Sequence, residues 1–421
     1  MIQKLKPKSE FTRNVLTLMT GTTVAQAIPI AISPILTRLY SPEDFGVLAL
    51  FVAISSIFGS IANGRYELAI MLPKKDEDAI NIAALGFIIV SCLSLFLLMI
   101  VTIFHDVILE FFNNRSISTW LYFIPISVFF MGFFNIFNYF NNRTKKYKDL
   151  AKATILRSIV IAIVQLFLGF LKTGVAGLIS GQLLSSLFTN IYLSKNIIKE
   201  KKLLSSISRV KIIALAKRYK DFPKFSMWAG LLNTSSTHLI NILISTAFSI
   251  KTLGFYSLSQ RLLGMPSALI GGSIGQVFFQ EATKEKNTTG SAINAFNSTL
   301  KKLIIIGVPA FGILFFIVED LFTFVFGEEW RIAGTYAKIL IPFFMIRFIS
   351  SPLAISMTVF EKQKNALYIN IILIITSVCT LYLVSSYSLE FIIFLMILTS
   401  IMFINYFLFI FYYHLVSKGK K

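Results

Sequence analysis

Apolar stretches close to twenty residues long recur along the whole chain, and they limit the possible folds more than any other feature. A helix needs about 20 residues to cross the roughly 30 Å hydrocarbon core of a bilayer. Lipid offers no hydrogen-bond partners, so each stretch must satisfy its own backbone as a helix, and no alternation typical of barrel strands occurs. We therefore predict an all-α polytopic membrane protein with twelve transmembrane helices, at about residues 14–39, 46–66, 79–104, 119–140, 150–170, 175–194, 223–249, 253–280, 303–318, 332–359, 366–384 and 391–416.

The composition agrees with this fold class. Of the 421 residues, 55% are hydrophobic and only 14% are charged, and the mean hydropathy of +0.74 exceeds that of soluble globular proteins. No cationic start followed by a short apolar core and a cleavage site is visible, so we interpret the N-terminus as mature sequence. Cys92 and Cys379 lie in apolar stretches without a partner motif, and we interpret them as small packing residues.

Lysine and arginine are distributed unevenly between the predicted connections. If the connections alternate between the two sides of the membrane, one side holds 31 of the 40 basic residues, the other side holds 5, and 4 lie inside helices. Short cationic loops remain in the cytoplasm, so we expect both termini there. The net charge of +20 then reflects topology and attraction to anionic membrane lipids, and no binding of nucleic acid is needed to explain it.

The longest connection, residues 195–222, falls halfway along the chain. Apolar residues recur on one face of it at helical spacing, while most of its lysines and arginines occupy other faces. This pattern predicts an amphipathic helix on the inner leaflet, linking an N-terminal six-helix lobe (1–194) to a C-terminal six-helix lobe (223–421). The residues of the apolar face are Ile212, Leu215, Ala216 and Tyr219.

Two short alignments between the halves indicate an internal repeat. "YSPEDFGVLAL" (40–50) aligns with "FSIKTLGFYSL" (248–258), and "FIPISVFF" (123–130) aligns with "LIPFFMIR" (340–347). Six helices is an even number, so both lobes would insert in the same orientation, related by a pseudo-two-fold axis along the membrane normal. We expect two six-helix bundles that face one another across a central cavity.

Several basic side chains fall at membrane depth in the predicted helices. Arg157, Arg261 and Arg347 lie well inside spans, where each costs roughly 2.5 to 3.5 kcal/mol on insertion scales. Lys338 lies nearer the outer surface. Snorkelling or a local ion pair is the alternative for each of them, and it is strongest for Lys338.

The acidic residues do not match these cations. Nearly all of the 20 acids fall in predicted loops or at helix ends. Glu67 alone lies within a turn of an inner boundary, and we expect the neighbouring Arg65 to pair with it. Deep cations without a protein anion, which are Arg157, Arg261 and Arg347, indicate an anionic substrate.

Uncharged polar residues are concentrated in the seventh and eighth predicted helices. Asn233, His238, Asn241 and Gln276 either bond neighbouring helices or line a hydrated cavity, and His238 is either a proton acceptor or a hydrogen-bonded packing residue. No phosphate-binding loop, metal-ligand motif or catalytic triad occurs, and the outer loops are short. These absences favour a transporter without a cofactor over an enzyme.

Four stretches resemble a known family. They are "GRYELAIMLPKKDEDA" (64–79), "DFPKFSMWAGLLNT" (221–234), "LGFYSLSQRLLGMPSALIGGSIGQVFFQEA" (253–282) and "FGEEWRIAGTYAKILIPFFMIRFISSPL" (326–353). They are similar to the bacterial polysaccharide flippases that move repeat units for O-antigen or capsule. That family belongs to the superfamily that also holds the multidrug and toxin extruders.

The resemblance implies a substrate and an energy source. It implies flipping of undecaprenyl pyrophosphate-linked oligosaccharide across the bacterial inner membrane by alternating access, with basic residues meeting the pyrophosphate and acidic sugars. By their depth we carry this role over to Arg157, Arg261 and Arg347, with Arg65 and Lys338 as further candidates. It implies an ion gradient, proton or sodium, although no buried Asp or Glu suggests itself as the coupling site. A polysaccharide polymerase and a chain-length regulator are candidate partners.

Three rival functions remain. A multidrug extruder would share the architecture, but its cationic substrates would favour membrane-embedded acids. A membrane-embedded enzyme is disfavoured by the short outer loops. A non-transporting scaffold of a glycan assembly complex is distinguished from a flippase by a translocation assay.

Overall fold

The computed structural model describes residues 10–112, 114–387 and 389–419. Within those ranges the chain forms helices, helical turns and connections, and it contains no β-strand. Some terminal basic residues of the charge count lie outside the described residues: Lys4, Lys6, Lys8, Lys420 and Lys421.

The helices are numbered in chain order. The described part begins with α1 (Glu10–Leu39), α2 (Pro42–Gly59), α3 (Tyr66–Ala69), α4 (Asp76–Ile103), α5 (His105–Phe112), α6 (Ser118–Leu121), α7 (Ile124–Arg143), α8 (Tyr147–Phe170), α9 (Val175–Ile198), α10 (Lys201–Leu204) and α11 (Arg209–Arg218). It continues with α12 (Met227–Ala247), α13 (Ile250–Pro266), α14 (Gly272–Thr289), α15 (Ile293–Phe326), α16 (Arg331–Leu353), α17 (Ser356–Val359), α18 (Gln363–Ser386) and α19 (Phe391–Ser417). π-helical turns at Phe222–Ser226 and Ser267–Gly271 precede α12 and join α13 to α14.

Nine helical stretches of the described chain are long and apolar enough to cross a membrane, which makes the protein a multi-pass membrane protein. They are Pro42–Gly59, Asp76–Ile103, Ile124–Arg143, Tyr147–Phe170, Ile250–Thr289, Ile293–Phe326, Glu328–Val359, Lys364–Val384 and Phe391–Ser417. Helices α1, α9 and α12 coincide with the other three predicted spans but are not among the nine. The count of twelve spans therefore stays a prediction.

The chain divides into two compact units, Met1–Thr234 and Ser235–Lys421. The division falls inside α12, so the first turns of that helix belong with the N-terminal unit rather than with a C-terminal lobe that begins at residue 223. The predicted lobes and their pseudo-two-fold axis remain predictions.

Matching helix caps occur at the first repeat alignment. Ser41 caps α2, because its Oγ accepts a hydrogen bond from the Asp44 backbone N–H at 3.2 Å while the Asp44 carboxylate accepts from the Ser41 N–H at 2.9 Å. Ser249 caps α13 in the same way, accepting from the Thr252 N–H at 3.0 Å. The aligned serines thus begin equivalent helices in the two units.

Buried polar groups join helices within the N-terminal unit. The Tyr40 hydroxyl, which follows α1, donates to the Gln165 carbonyl on α8 at 2.6 Å, and the Gln165 amide donates to the Leu178 carbonyl on α9 at 3.0 Å. Gly181 lets α9 approach α8, since a Cβ there would lie 2.6 Å from the Gln165 Cγ. These contacts fix α8 between α1 and α9.

The predicted linker helix exists as α11, and part of its apolar face packs within the N-terminal unit. Leu215 is buried in a cluster with Ile80 and Phe140, and Ala216 and Tyr219 pack against the same cluster. The Asn81 side chain of α4 bonds the backbone of Ser206 and Ser208, just before α11. Part of the apolar face of α11 therefore packs on the start of α4, and its place at the inner leaflet stays a prediction.

Two predicted helix boundaries were wrong. The helix of the second span (46–66) ends at Gly59, and turns follow it up to Gly64 and Arg65, which both adopt left-handed backbone angles. The ninth span (303–318) extends over the whole of α15 and ends only at Gly327 (φ 101°). Glu319 and Asp320 therefore lie within a helix rather than in a loop.

Both cysteine side chains are exposed at helix surfaces. Cys92 lies on α4 and Cys379 on α18, so neither is the internal packing residue that the sequence predicts.

Candidate functional site

Arg157 lies on α8, with its guanidinium stacked on an aromatic ring. Its Cζ lies 5.8 Å from the centroid of the Phe134 ring on α7. The side chain is half-buried. A cation over an aromatic face regains part of the stabilisation it loses on leaving water, about 0.5 to 2 kcal/mol.

Arg261 and Arg347 lie on two helices that pack together within the C-terminal unit. The Ser259 Oγ of α13 donates to the Ala333 carbonyl of α16 at 2.6 Å, and further along both helices a Cβ added at Gly264 would lie 3.7 Å from the Phe344 Cε1. The contacts occur in the same order on both helices, so the helices are parallel. By either contact Arg347 lies further along the helix pair than Arg261, so the two arginines lie at different depths.

The surroundings of these two arginines differ. The Arg347 Cζ lies 5.9 Å from the Phe343 ring centroid and 5.8 Å from that of Phe344, and the side chain is half-buried. Arg261 is exposed on the surface of α13. Both arginine side chains are therefore only partly covered by the protein.

In the described ranges, no Asp or Glu oxygen lies within 4.0 Å of the guanidinium groups of Arg157, Arg261 or Arg347. The ion pairs of this part of the chain involve other basic residues, among them Arg143 with Asp76 and Arg331 with Glu328. The local ion pair that is the alternative for the three deep arginines therefore does not occur there.

Lys338 differs from the three arginines because it has a protein anion. Its Nζ lies 3.2 Å from the Glu319 Oε2 on α15 and 5.8 Å from the Phe315 ring centroid. Sequence reasoning missed this pair because it placed Glu319 in a loop. The contact is the local ion pair that stands as the alternative to a role in substrate binding.

Arg65 lies in the connection between α2 and α4, and it pairs with Glu67 as the sequence predicts. The Arg65 Nη1 lies 3.7 Å from the Glu67 Oε1. A Cβ added at Gly230, in the part of α12 that belongs to the same unit, would lie 3.2 Å from the Arg65 guanidinium carbon. The close approach of the two therefore depends on glycine at position 230.

Glu67 is buried, which the sequence analysis did not predict. Only 3% of its side chain is exposed. Burial raises the pKa of Glu67 above its ordinary value, and a hydrogen bond from its own backbone N–H and the charge of Arg65 offset part of this rise. The signal available in the sequence was the apolar run "LAIML" directly after it.

The four uncharged polar candidates are spread over different environments. Asn233 and Gln276 are exposed, His238 is half-buried and Asn241 is buried. The Asn241 Oδ1 has no hydrogen-bond partner in the described part of the chain. A cavity-lining role for these four remains a prediction. The described residues also contain no group of three His, Cys, Asp or Glu side chains that could hold a metal ion.

The match to a known family decides what kind of protein carries these arginines. The sequence profile of a family described as polysaccharide biosynthesis protein matches residues 35–334. The chain belongs to this family. The match covers α2 to α15 and includes Arg65, Arg157 and Arg261, whereas Lys338 and Arg347 lie just beyond it. No curated protein sequence matches the chain.

Solved structures share the fold of this family member. A multidrug resistance MATE transporter of the MOP superfamily in an inward-facing conformation superposes with a TM-score of 0.71 at 14% identity, covering 94% of this chain and 93% of that one. The lipid II flippase MurJ in an inward closed conformation gives a TM-score of 0.75 at 16% identity, covering 95% and 87%. A MOP-superfamily transporter from Pyrococcus furiosus gives 0.54 at 13% identity, covering 97% and 96%. At these identities the likeness shows the fold alone, which is that of the MOP superfamily.

Proposed function

We propose that this family member is a flippase that moves undecaprenyl pyrophosphate-linked oligosaccharide repeat units across the bacterial inner membrane by alternating access, for O-antigen or capsule synthesis. The observation that carries the proposal is the absence of a carboxylate within 4.0 Å of Arg157, Arg261 and Arg347 in the described ranges. A pyrophosphate headgroup would supply the missing negative charge through charge-assisted hydrogen bonds.

The exposure of Arg261 supports the same proposal. A guanidinium at the surface of a spanning helix cannot face hydrocarbon without a cost of several kcal/mol, so the surface around it must meet water or an anion. A drug extruder for cations has no use for such a surface. A protein that carries anionic lipid headgroups does.

The family and the fold also favour transport. The family is described as polysaccharide biosynthesis protein, and the MurJ structure that shares the fold is that of a lipid II flippase. Cytoplasmic termini, an ion gradient of protons or sodium as energy source, and a polymerase and chain-length regulator as partners belong to the same proposal.

The test is translocation in proteoliposomes. Fluorescently labelled undecaprenyl pyrophosphate-linked oligosaccharide is reconstituted with the full chain, and translocation is followed by access of a membrane-impermeant quencher. Arg157→Gln, Arg261→Gln and Arg347→Gln each remove one charged donor. Since a hydrogen bond to a charged group contributes about 1.5 to 3 kcal/mol, we expect each change to slow transport about 10- to 100-fold.

Matched controls come from the same helices. Lys152→Gln alters an exposed cation near the start of α8, and Arg331→Gln alters an exposed cation paired with Glu328 at the start of α16. Both variants should transport like the parent. Parental transport by all three deep-arginine variants would overturn the proposal. A parent that moves no glycan but exports cationic drugs would instead favour the extruder, and one that moves neither would favour the scaffold.

A further inference from the structure

Glu67 lies in the connection between α2 and α4, outside the nine membrane-crossing stretches of the described chain. Gly64 (φ 59°) and Arg65 (φ 63°) are consecutive left-handed residues that reverse the chain and begin α3. Helix α3 then packs against α4, α7 and the Phe222–Ser226 turn. The backbone reversal therefore carries a carboxyl side chain into a packed region.

The Glu67 carboxyl has few polar contacts there. Its nearest cation is Arg65 at 3.7 Å, beyond ordinary hydrogen-bond distance. The Glu67 Oε2 and the Arg65 Nε are both buried, and neither has a hydrogen-bond partner among the described residues. An ionised carboxylate in this position exchanges its hydration for one long ion pair and a hydrogen bond from its own backbone N–H.

Apolar side chains and already paired charges surround the site. The cluster beneath α3 contains Ala69, Ile70, Ala79 and Ile80. On α7, the Arg143 Nε donates to the Asp76 Oδ1 of α4 at 2.8 Å, and its Nη1 donates to the Ile70 carbonyl at 3.1 Å.

Three other ionisable side chains approach from the packed elements. Tyr139 of α7 lies close enough to interact with the charges of both Glu67 and Arg65. Tyr66, next to Glu67, donates its hydroxyl to the Ala216 carbonyl of α11 at 3.0 Å. In the Phe222–Ser226 turn, Lys224 is exposed and lies 5.1 Å from the Phe225 ring centroid. The remaining charged residues at the start of α4 and on α11 are exposed or half-buried: Glu77, Asp78, Arg209, Lys211, Lys217 and Arg218.

We propose that Glu67 is a proton-binding site whose proton affinity is lowered by the neighbouring Arg65 guanidinium. The neutral acid avoids the loss of hydration, whereas the carboxylate neutralises Arg65. Each form satisfies one of the two groups, so the pair can exist in either state. Burial raises the pKa of Glu67 and the charge of Arg65 opposes that rise, as this competition requires.

A proton fits this site better than a sodium ion. A sodium ion requires several oxygen ligands, whereas only two buried side-chain oxygens of this connection lack a hydrogen-bond partner in the described chain, Asn63 Oδ1 and Glu67 Oε2. The described residues contain no cluster of three metal-ligating side chains. A proton needs one oxygen only.

The link to transport rests on the proposed function. An anionic headgroup that binds Arg65 would compete with Glu67 for the same guanidinium and would favour the protonated acid. Proton uptake and headgroup binding are then linked, so affinity for the headgroup rises as the pH falls. It levels off once Glu67 is protonated in the free protein.

The test is the titration of Glu67 itself, measured on the full chain in lipid nanodiscs by pH-difference infrared spectroscopy without ligand. We expect a carboxylic acid band that titrates in the parent, is missing in Glu67→Gln and is kept in Glu77→Gln, a matched change of an exposed acid on α4. Arg65→Gln removes the opposing charge and should raise the titration midpoint by about 1 to 3 pH units.

Several results would overturn the proposal. The same band in the parent and in Glu67→Gln would show that Glu67 does not titrate. An unchanged midpoint in Arg65→Gln would show that the charge of Arg65 does not affect the titration of Glu67. A band that responds to sodium at constant pH, and is lost in Glu67→Gln, would show that Glu67 binds sodium rather than a proton.

Binding of undecaprenyl pyrophosphate to the same nanodiscs separates this inference from the proposed function. In the parent we expect affinity to fall up to tenfold per pH unit above the Glu67 midpoint, and in Glu67→Gln we expect no such dependence. If the parent binds no prenyl pyrophosphate at any pH while the Glu67 band still titrates and shifts in Arg65→Gln, the substrate is wrong and the proton site stands.

Discussion

A guanidinium inside a spanning helix is stable only if its neighbours replace part of its hydration. The Phe134 ring covers Arg157, and Phe343 and Phe344 flank Arg347. Such contacts contribute about 0.5 to 2 kcal/mol, which is less than the roughly 2.5 to 3.5 kcal/mol of insertion cost. The aromatic rings therefore leave part of the cost uncompensated, and water or an anionic ligand must supply the rest.

Lys338 should behave differently, because Glu319 already compensates its charge at 3.2 Å. Lys338→Gln alone leaves Glu319 without its cation and should lower thermal stability slightly, while the double variant Glu319→Gln/Lys338→Gln should recover it. Both side chains are about one-third exposed, so the coupling should stay below about 1 kcal/mol. The measurement is a double-mutant cycle of unfolding midpoints with transport assayed in parallel. A double variant that folds but does not transport would show that Lys338 binds substrate.

Glu67 makes a pH-dependent prediction for stability. Its pKa is raised in the folded protein, mainly by burial, so the folded state binds more protons than the unfolded state between the ordinary and the raised value. Stability should fall as the pH rises through that window, by at most about 1.4 kcal/mol per pH unit. Glu67→Gln mimics the neutral acid and lacks this loss.

The measurement is the unfolding midpoint of the parent and of Glu67→Gln at several pH values. We expect the variant to gain on the parent as the pH rises and the two to converge in acid. A gap that widens toward low pH would mean that the ionised carboxylate, not the acid, stabilises the fold.

Sequence reasoning could pair Arg65 with Glu67 because the two residues are neighbours. It could not bury Glu67, since that depends on two left-handed residues that follow a helix ending earlier than the apolar pattern does. It could place three arginines at membrane depth from hydropathy alone. The ring that covers Arg157 comes from another helix, and no single-helix pattern encodes it.

Helix α16 packs against α15 through a position without a side chain. A Cβ at Gly334 would lie 2.9 Å from the Glu319 Cα and 3.2 Å from the Glu319 carbonyl oxygen. Lys338 follows one turn later on the same face, so this close approach also brings Lys338 within reach of Glu319. Contact with backbone leaves little room for adjustment.

Gly334→Ala should therefore destabilise the α15–α16 pair by about 1 to 3 kcal/mol, seen as a lower unfolding midpoint in detergent. Gly312→Ala on α15 is the matched control, because a Cβ there meets nothing within 4 Å. It should leave the midpoint unchanged or raise it slightly, since alanine favours helices over glycine. Equal midpoints for both variants would show that the close approach of the two helices at Gly334 does not contribute to stability.

At the scale of elements, apolar length predicted where helices lie but not where they end. Helix α15 continues past its apolar core through Glu319 and Asp320 to Gly327, because a helix stops where the backbone requires it and not where hydrophobicity falls. The face of α11 was correctly identified as apolar. The packing of that face on α4 could not be predicted, because a periodicity argument does not distinguish lipid from packed side chains.

The whole molecule poses a question of topology, because the charge bias depends on every helix of the alternation. Helices α1, α9 and α12 are long enough but fall outside the nine apolar stretches of the described chain. If α9 and α12 both stayed on one side, the ten basic residues from Lys195 to Lys224 would move to the outer face. The cationic-loop rule argues strongly against this arrangement.

Cysteine accessibility decides the question. In a background with Cys92 and Cys379 replaced by Ser, single cysteines are introduced at Arg115, Lys201 and Lys251, and right-side-out vesicles are treated with a membrane-impermeant maleimide. Twelve spans predict labelling at positions 115 and 251, which fall on the outer side, and none at 201 until the vesicles are opened. The opening step is the control that the cysteine at 201 can react at all. Labelling at 201 from outside would show that α9 and α12 do not cross. The basic linker would then lie outside, and both the two-lobed arrangement and the cytoplasmic entry of a lipid-linked glycan would have to be abandoned.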